Sequence, residues 1–260
     1  MKQVIDITKP KIFIAENVKG LVNLGDVKDI IQQDFASADN GGYIVLDPKV
    51  LHAADYGVPE SRERVIFIGI RKDCLNKDAR IALESNNIPE KYNPYPTPIH
   101  AYNLKDDSLM PTVVCRDIFE DLPEPEYSDD LSHKHFSKAK FMGVHCQGQK
   151  EITLDKIGPT IRSEHHGNIE YRRLSLEHGG TNIEELNRGL PERRLTPREC
   201  ALIQTFPPDY NFVRASYGSA KKFAVSSSGA YKVIGNAVPP MLAYNIAMRI
   251  QSLWDVYFQQ

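Results

Sequence analysis

The chain has 260 residues, 41% apolar and 25% charged, with a net charge of −2. That length suits one large domain or two modest ones, and the composition is ordinary for a globular protein. No apolar run approaches the ~20 residues of a membrane helix, and Lys9, Lys11, Glu16 and Lys19 interrupt any leader-like stretch at the start. A cytoplasmic protein with no membrane partner is therefore expected.

Lys11-Ile-Phe-Ile-Ala15, after Pro10, is a β-branched and aromatic run that predicts a buried strand. Glu16-Asn17-Val18 follows it directly, and functional groups gather at the carboxyl ends of strands in open α/β sheets. A carboxylate there can act as an acid or hold a ring nitrogen and an amino group; it can equally be a solvated loop residue. Val27, Ile30, Ile31 and Phe35 have helical spacing, with Asp26 at the N-cap position and Asn40-Gly41-Gly42 as a stop. Tyr43 to Leu46 and Arg64 to Ile70 are two further strands. Together the three strands make half of a nucleotide-binding type of sheet. Arg62 and Arg64 alternate on an extended chain and so point together, which suits a phosphate or a carbonyl oxygen, or a charged edge paired with Glu60 or Glu63.

From about Lys72 to Leu190 the character changes. Prolines recur at 89, 94, 96, 98, 111, 123 and 125, and periodicity weakens. Tyr, Phe and Ile continue throughout, which predicts an irregular folded domain rather than a linker. Four cysteines (Cys74, Cys115, Cys146, Cys200) form no pair at metal or redox spacing and read as buried small apolar residues. His133, His135, His145 and Cys146 lie close together but match no zinc template, so no metal is expected. Regular structure returns at Thr196, a good N-cap, with Pro197 at the first helical position and Glu199 completing a capping box. Arginines at its start could meet a phosphate, though the capping alone accounts for the pattern. Gly235-Asn236 is read as a turn that admits close approach of a ligand, or as a plain loop. It leads into a last helix, Pro240 to about Tyr257, with Leu242, Ile246, Ile250 and Leu253 on one face.

Each motif is weak alone, but their order and wording together resemble the DNA (cytosine-5) methyltransferase family. Phe13-Ile-Ala-Glu-Asn-Val-Lys-Gly-Leu21 is similar to the family's Glu-Asn-Val motif. Tyr56-Gly-Val-Pro-Glu-Ser-Arg-Glu-Arg-Val-Ile-Phe-Ile-Gly69 resembles its Gln-x-Arg-x-Arg motif, with Glu60 in place of the Gln. Arg193 or Arg194 through Glu199 matches Arg-x-Leu-Thr-x-Arg-Glu, and Gly235 to Pro240 matches Gly-Asn-(Ala/Ser)-Val-Pro-Pro. Gly158 to Asn168 also looks like family members.

The resemblance implies methyl transfer from S-adenosylmethionine to C5 of a cytosine flipped out of double-stranded DNA. It gives Glu16, with Asn17, the ring nitrogen and amine of the base, Arg64 the cytosine O2, and Arg62 a bracing role. Asn236, Ala237 and Val238 match the segment beside the cofactor. The implied fold is α/β: a partial, Rossmann-like methyltransferase sheet plus a small irregular, β-rich target-recognition domain. Residues 1–71 would be the second half of the catalytic domain, 72–190 the recognition domain, and 191–260 the helices returning to the catalytic part. DNA contacts are expected from Arg162, His165, His166, Asn168, Arg172 and Arg173, and from Arg194, Thr196 and Arg198, unless these are solvated or internally paired.

One departure is large. The family's Phe-x-Gly-x-Gly and Pro-Cys-Gln loops are absent, and no cysteine here follows a proline. In family order both precede Glu-Asn-Val, so the chain is expected to be a later part of the enzyme, with an incomplete cofactor site. Its first strand would then lie mid-sheet with one edge uncovered, which favours self-association or a partner chain carrying the first half. A catalytically inactive DNA-binding remnant and a regulatory partner of another methyltransferase are the alternatives.

Overall fold

A computed structural model of the chain describes residues 1–102, 106–163, 169–217 and 219–259. By internal contacts the chain forms two compact units. The first comprises Met1–Ala53, Glu63–Ile99 and Leu242–Gln260; the second comprises Ala54–Arg62 and His100–Met241.

The first unit is built on one sheet. Its strands are β1 (Ile12–Val18), β2 (Tyr43–Val45), β3 (Lys49–His52) and β4 (Glu63–Arg71). β4 is the centre, and Val65 to Ile70 are buried without interruption, as expected of a strand covered on both faces. β1 pairs with one edge of β4; β3 and then β2 pair with successive stretches of the other, all antiparallel. β1 and β2 therefore run the same way with the reversed β4 between them. β3 had no signal in the sequence reading.

The motif Glu16-Asn17-Val18 does not follow the first strand but forms its last three residues, in register with Ile66, Val65 and Arg64. Phe13 and Ala15 face a core with Phe35, Tyr43, Val65 and Phe67. Phe13 lies opposite Gly69. A Cβ at Gly69 would meet the Phe13 ring at 2.1 Å, so the strand needs glycine there for packing. On the other face Ile12 and Ile14 line a shallow apolar groove with Ala247, Ile250, Gln251 and Trp254. Among the described residues β1 has no ladder on its far edge.

The helix Val27–Ala36 forms as the spacing predicts, although Asp26 makes no side-chain cap bond. The last helix breaks at Leu253, giving Pro240–Ser252 and a short Trp254–Phe258. Leu242, Ile246, Ile250 and Leu253 are buried, as their spacing requires. Among the described residues no helix is long and apolar enough to cross a membrane.

The second unit is irregular, but not β-rich. Among the described residues its ladders are two short pairs, β5 (Tyr171–Arg173) with β6 (Arg193–Arg194) and β7 (Arg214–Ser216) with β8 (Ser219–Val225). Buried carbonyls still need donors, and here arginine side chains supply many of them. Arg194 donates to the carbonyls of Ala139 (2.8 Å), Gly148 (2.7 Å) and Lys140 (3.2 Å), and also to that of Ile169. Arg198 donates to those of Pro207 (3.3 Å) and Tyr210 (2.9 Å). A core of Ile152, Ile161, Leu195, Ile203, Tyr231 and Ile234 lies beneath.

Candidate functional site

Two charged groups of the first unit stand together. Glu16 lies opposite Ile66 and Arg64 opposite Val18, so the two side chains share one face of the sheet, a diagonal step apart. Arg64 Nε donates to Glu16 Oε1 at 2.6 Å, and Arg64 Nη1 donates to the Glu63 carbonyl at 2.8 Å. The Arg64 side chain is 11% exposed and that of Glu16 is 26% exposed. The pair is thus held by protein on the arginine side and open on the carboxylate side. Asn17 is exposed, and its Oδ1 accepts from the Val18 N–H at 2.8 Å.

Arg62 is in a different setting. It is 1% exposed. It donates to the carbonyls of Ile161 (3.0 Å), Gly235 (2.8 Å) and Ala237 (2.7 Å), and to Glu60 Oε1 at 3.3 Å. Glu60 accepts from the Ile161 N–H at 2.7 Å as well. Where the family has an amide that can donate, this chain has a buried carboxylate that only accepts and that pairs with Arg62. Arg62 is therefore a brace between three segments of the second unit. Arg62 is held by main-chain carbonyls and Glu60, and Arg64 pairs with Glu16, so the alternation of the two arginines does not bring them onto one shared partner.

Gly235-Asn236 is not a turn. Both residues end the helix Ser227–Asn236, with Ala237 as its C-cap. The close approach at Gly235 is made by the chain itself: a Cβ there would lie 2.2 Å from the Arg162 carbonyl carbon and 2.4 Å from the Ser163 nitrogen. Asn236 is exposed, and Ala237 and Val238 are half-buried.

Most of the arginines expected on DNA are occupied internally. Arg172, Arg173, Arg193, Glu124, Glu185 and Glu199 form a closed ring of alternating charge. Arg193 bridges Glu124 (2.8 Å) and Glu199 (2.9 Å), and Arg172 reaches Glu199 (3.7 Å) and Glu185 (2.6 Å). Arg173 closes the ring by pairing with Glu185 and, at 3.1 Å, with Glu124. Burial opposes ionisation of Glu124, but bonds and charge from Arg193 and Arg173 outweigh it and hold its carboxyl at about 2. The carboxyls of Glu185 and Glu199 are also pulled down, against burial, by Arg172 and Arg173 and by Arg193 respectively. Arg194 is 1% exposed and stacks on Tyr171 at 4.3 Å. Arg198, 3% exposed, pairs with Asp130 at 2.5 Å. Thr196 is fully buried, and its hydroxyl and Glu199 make the capping box the sequence predicts. Arg162 is half-buried and pairs with Glu170 at 2.9 Å. His165, His166 and Asn168 lie outside the described residues.

His133 is fully buried between the Thr196 hydroxyl (2.8 Å) and the Pro123 carbonyl (2.7 Å). The carbonyl only accepts, so Nε2 carries the proton and Nδ1 accepts from Thr196 in the neutral ring. Cys115 and Cys200 are buried as expected, whereas Cys74 and Cys146 are partly exposed. Burial pushes the Cys115 thiol up to about 12 and raises Cys200 well above its ordinary value; burial and Asp73 raise Cys74. A nucleophilic cysteine needs the opposite shift, so none of these three is an activated thiol.

The family model described as C-5 cytosine-specific DNA methylase matches residues 1–252. The chain belongs to this family. It is 33% identical over 265 residues to the Type II methyltransferase M.BsuRI of Bacillus subtilis, covering 96% of this chain and 51% of that protein. It is likewise 33% identical over 257 residues to M.BspRI of Lysinibacillus sphaericus, covering 93% of this chain and 51% of that protein. The chain thus spans about half the length of these relatives. Its fold is similar to that of the Dnmt2 methyltransferase of S. pombe, with a TM-score of 0.53 at 15% identity, covering 95% of this chain and 67% of that one.

Proposed function

We propose that these 260 residues carry one wall of the active site of a DNA (cytosine-5) methyltransferase of restriction-modification type. The nucleophilic cysteine loop is supplied by residues outside them, in the same polypeptide or in a partner chain. The observation that carries this reading is the 2.6 Å contact between Glu16 and Arg64 on neighbouring strands. A pyrimidine turned out of a duplex presents N3, an exocyclic amine and O2 along one edge, which a carboxyl group and a guanidinium together can match.

In this reading, addition of a thiolate at C6 pushes an electron pair into the ring, toward N3, C5 and O2. Glu16, protonated when the base is bound, donates to N3 from one oxygen and accepts from the exocyclic amine with the other. Arg64 donates to O2. Both stabilise charge as it develops. Arg62, through Gly235 and Ala237, positions the end of the helix that bears Asn236.

S-adenosylmethionine supplies the methyl group when it is bound. Asn236, Ala237 and Val238 do not suffice as its site: only Asn236 has a side chain able to hydrogen-bond, and the Ala237 carbonyl is taken by Arg62. The adenine, ribose and methionine groups need further residues. On the same reading residues 1–71 and 191–260 serve catalysis and 72–190 recognise the target sequence. The open edge of β1 and its apolar groove support a sheet that continues beyond it. The raised cysteine thiols favour one second reading, a DNA-binding remnant or regulatory partner without chemistry of its own.

One experiment separates these readings. Transfer of labelled methyl groups to duplex DNA is measured for the chain alone and for the chain mixed with a polypeptide carrying Phe-x-Gly-x-Gly and Pro-Cys-Gln. Transfer in the mixture alone is expected. Transfer by the chain alone overturns the proposal, and duplex binding with no transfer in either case establishes the second reading.

A further inference from the structure

The second unit contains a cleft of about 370 Å³ whose lining, Arg193 and Arg194 apart, lies outside the motifs above. Lys134, Phe136, Lys138, Lys140 and Tyr171 line it, with Glu126 and Glu192 at its acidic side. Residues 134–140 read Lys-His-Phe-Ser-Lys-Ala-Lys, three lysines and no acid in a chain whose net charge is −2. Such a run is usually a solvated loop. This one is tied down at several points. Arg194 takes the carbonyls of Ala139 (2.8 Å) and Lys140 (3.2 Å), and the Ser137 N–H donates to the Tyr231 hydroxyl at 3.2 Å. Lys138 Nζ lies over the Phe136 ring at 3.4 Å.

Among the described residues none of the three ammonium groups has an ion-pair partner within salt-bridge distance, and all three side chains are exposed. Burial, and then the charge of Arg193, lower the proton affinity of Lys138. Arg193 adds positive charge beside Lys138, and Glu126 offsets part of it. Glu192 is engaged elsewhere, by the Ser175 N–H at 2.9 Å and by His178 at 2.6 Å. Three exposed cations without ion-pair partners beside the Phe136 and Tyr171 rings suit an extended anion rather than a neutral small molecule.

We propose that the Lys134–Lys138–Lys140 cleft holds backbone phosphates of double-stranded DNA and fixes the register of the second unit on the duplex. This rests on the reading of the chain as part of a DNA methyltransferase. Contacts of this kind position a protein without reading bases, so the cleft supplies affinity and not sequence choice.

The test is duplex binding by the full chain as a function of salt, for wild type, K134Q/K138Q/K140Q and K134R/K138R/K140R. Two duplexes of unrelated sequence and inorganic polyphosphate serve as probes. Each phosphate contact contributes about 0.9 to the slope of log affinity against log salt, so the Gln variant is expected to lose up to about 2.7 of slope. The loss should be equal on both duplexes, and the Arg variant should retain the slope. The three side chains are exposed, so melting temperature is expected to be unchanged and serves as the folding control. A wild-type slope in the Gln variant overturns the cleft while leaving the methyltransferase reading intact. Binding of polyphosphate at the cleft without duplex binding overturns the DNA assignment, and absence of wild-type binding to any probe overturns the proposal outright. Absence of methyl transfer by the wild-type chain in the reconstituted mixture, with duplex binding and its salt slope intact, counts against the methyltransferase reading alone.

Discussion

The two units use the same chemistry, arginine against glutamate, for opposite ends. In the second unit three arginines and three glutamates close a buried ring, and Arg62 and Arg194 are occupied by main-chain carbonyls. In the first unit Arg64 and Glu16 form a single pair whose carboxylate side is open. A closed network turns its charges on one another, although Arg172 Nε, 3.7 Å from Glu199, makes no hydrogen bond, and it serves to hold loops that have little ladder of their own. An open pair has spare acceptor capacity at modest cost in stability. The type of residue therefore says little, and the completeness of its partner set says much.

Breaking the ring should have the largest thermal effect. Glu199 is 1% exposed, bonds Arg193 twice at 2.9 Å and caps the helix Pro197–Ile203. Glu199→Ala leaves three buried guanidinium groups against two carboxylates, one charge uncompensated, a loss of about 3–5 kcal/mol. Chemical denaturation of the full chain should show it. A change below about 1 kcal/mol would mean that the ring is not formed in solution.

Next comes the close contact at Gly235. Gly235→Ala places a Cβ 2.2 Å from the Arg162 backbone, and main chain cannot move aside as a flexible side chain does. Overpacking of this kind costs about 1–3 kcal/mol. The cost should vanish if the apposition of these two segments is not maintained, so an unchanged melting temperature would remove the packing argument for this glycine.

The ring also gives a pH dependence of known sign. The folded carboxyl of Glu124 sits at about 2 against an ordinary value of 4.5, and those of Glu185 and Glu199 are also depressed. Their contribution is complete above the unfolded value and is lost as pH falls through the folded ones. Urea midpoints should thus be flat above pH ~5 and fall as pH drops from about 4.5 toward 2. Glu124→Gln should be less stable at neutral pH and show a shallower fall.

What the sequence disclosed follows from range. The capping box at Thr196–Glu199, the strand at 64–70 and the apolar face of the last helix are set by neighbours within a few residues, and all are present. β3 was missed because Lys49-Val-Leu-His52 is short and carries little alternation; its strand state comes from pairing with β4. The ring was missed for a different reason. Glu124, Arg172 and Glu199 are far apart in sequence, and no local spacing links them. The signal available was indirect: doubled arginines at 172–173 and 193–194 in a chain with no excess positive charge must find acids somewhere. For Arg172 and Arg173 the internal pairing left open beside DNA contact is present.

The smallest thermal effect is expected at the open pair, where function and stability should separate most clearly. Glu16→Gln keeps the shape of the side chain and an acceptor for Arg64 Nε while removing the charge. Glu16 remains partly solvated, so the pair contributes about 0–1 kcal/mol and the melting temperature should barely move. In the reconstituted enzyme the amide can still donate to N3 and accept from the base amine, but it cannot transfer a proton to N3 as a carboxyl group can. Loss of such acid catalysis lowers turnover by about 10²–10⁴-fold, and duplex binding should be unaffected. Arg64→Ala should lower turnover as well, but with a larger thermal loss, because its guanidinium is 11% exposed and also holds the Glu63 carbonyl. Equal stability loss at Glu16 and Arg64, with turnover retained in Glu16→Gln, would make the pair a second piece of scaffold and erase the distinction between the two units.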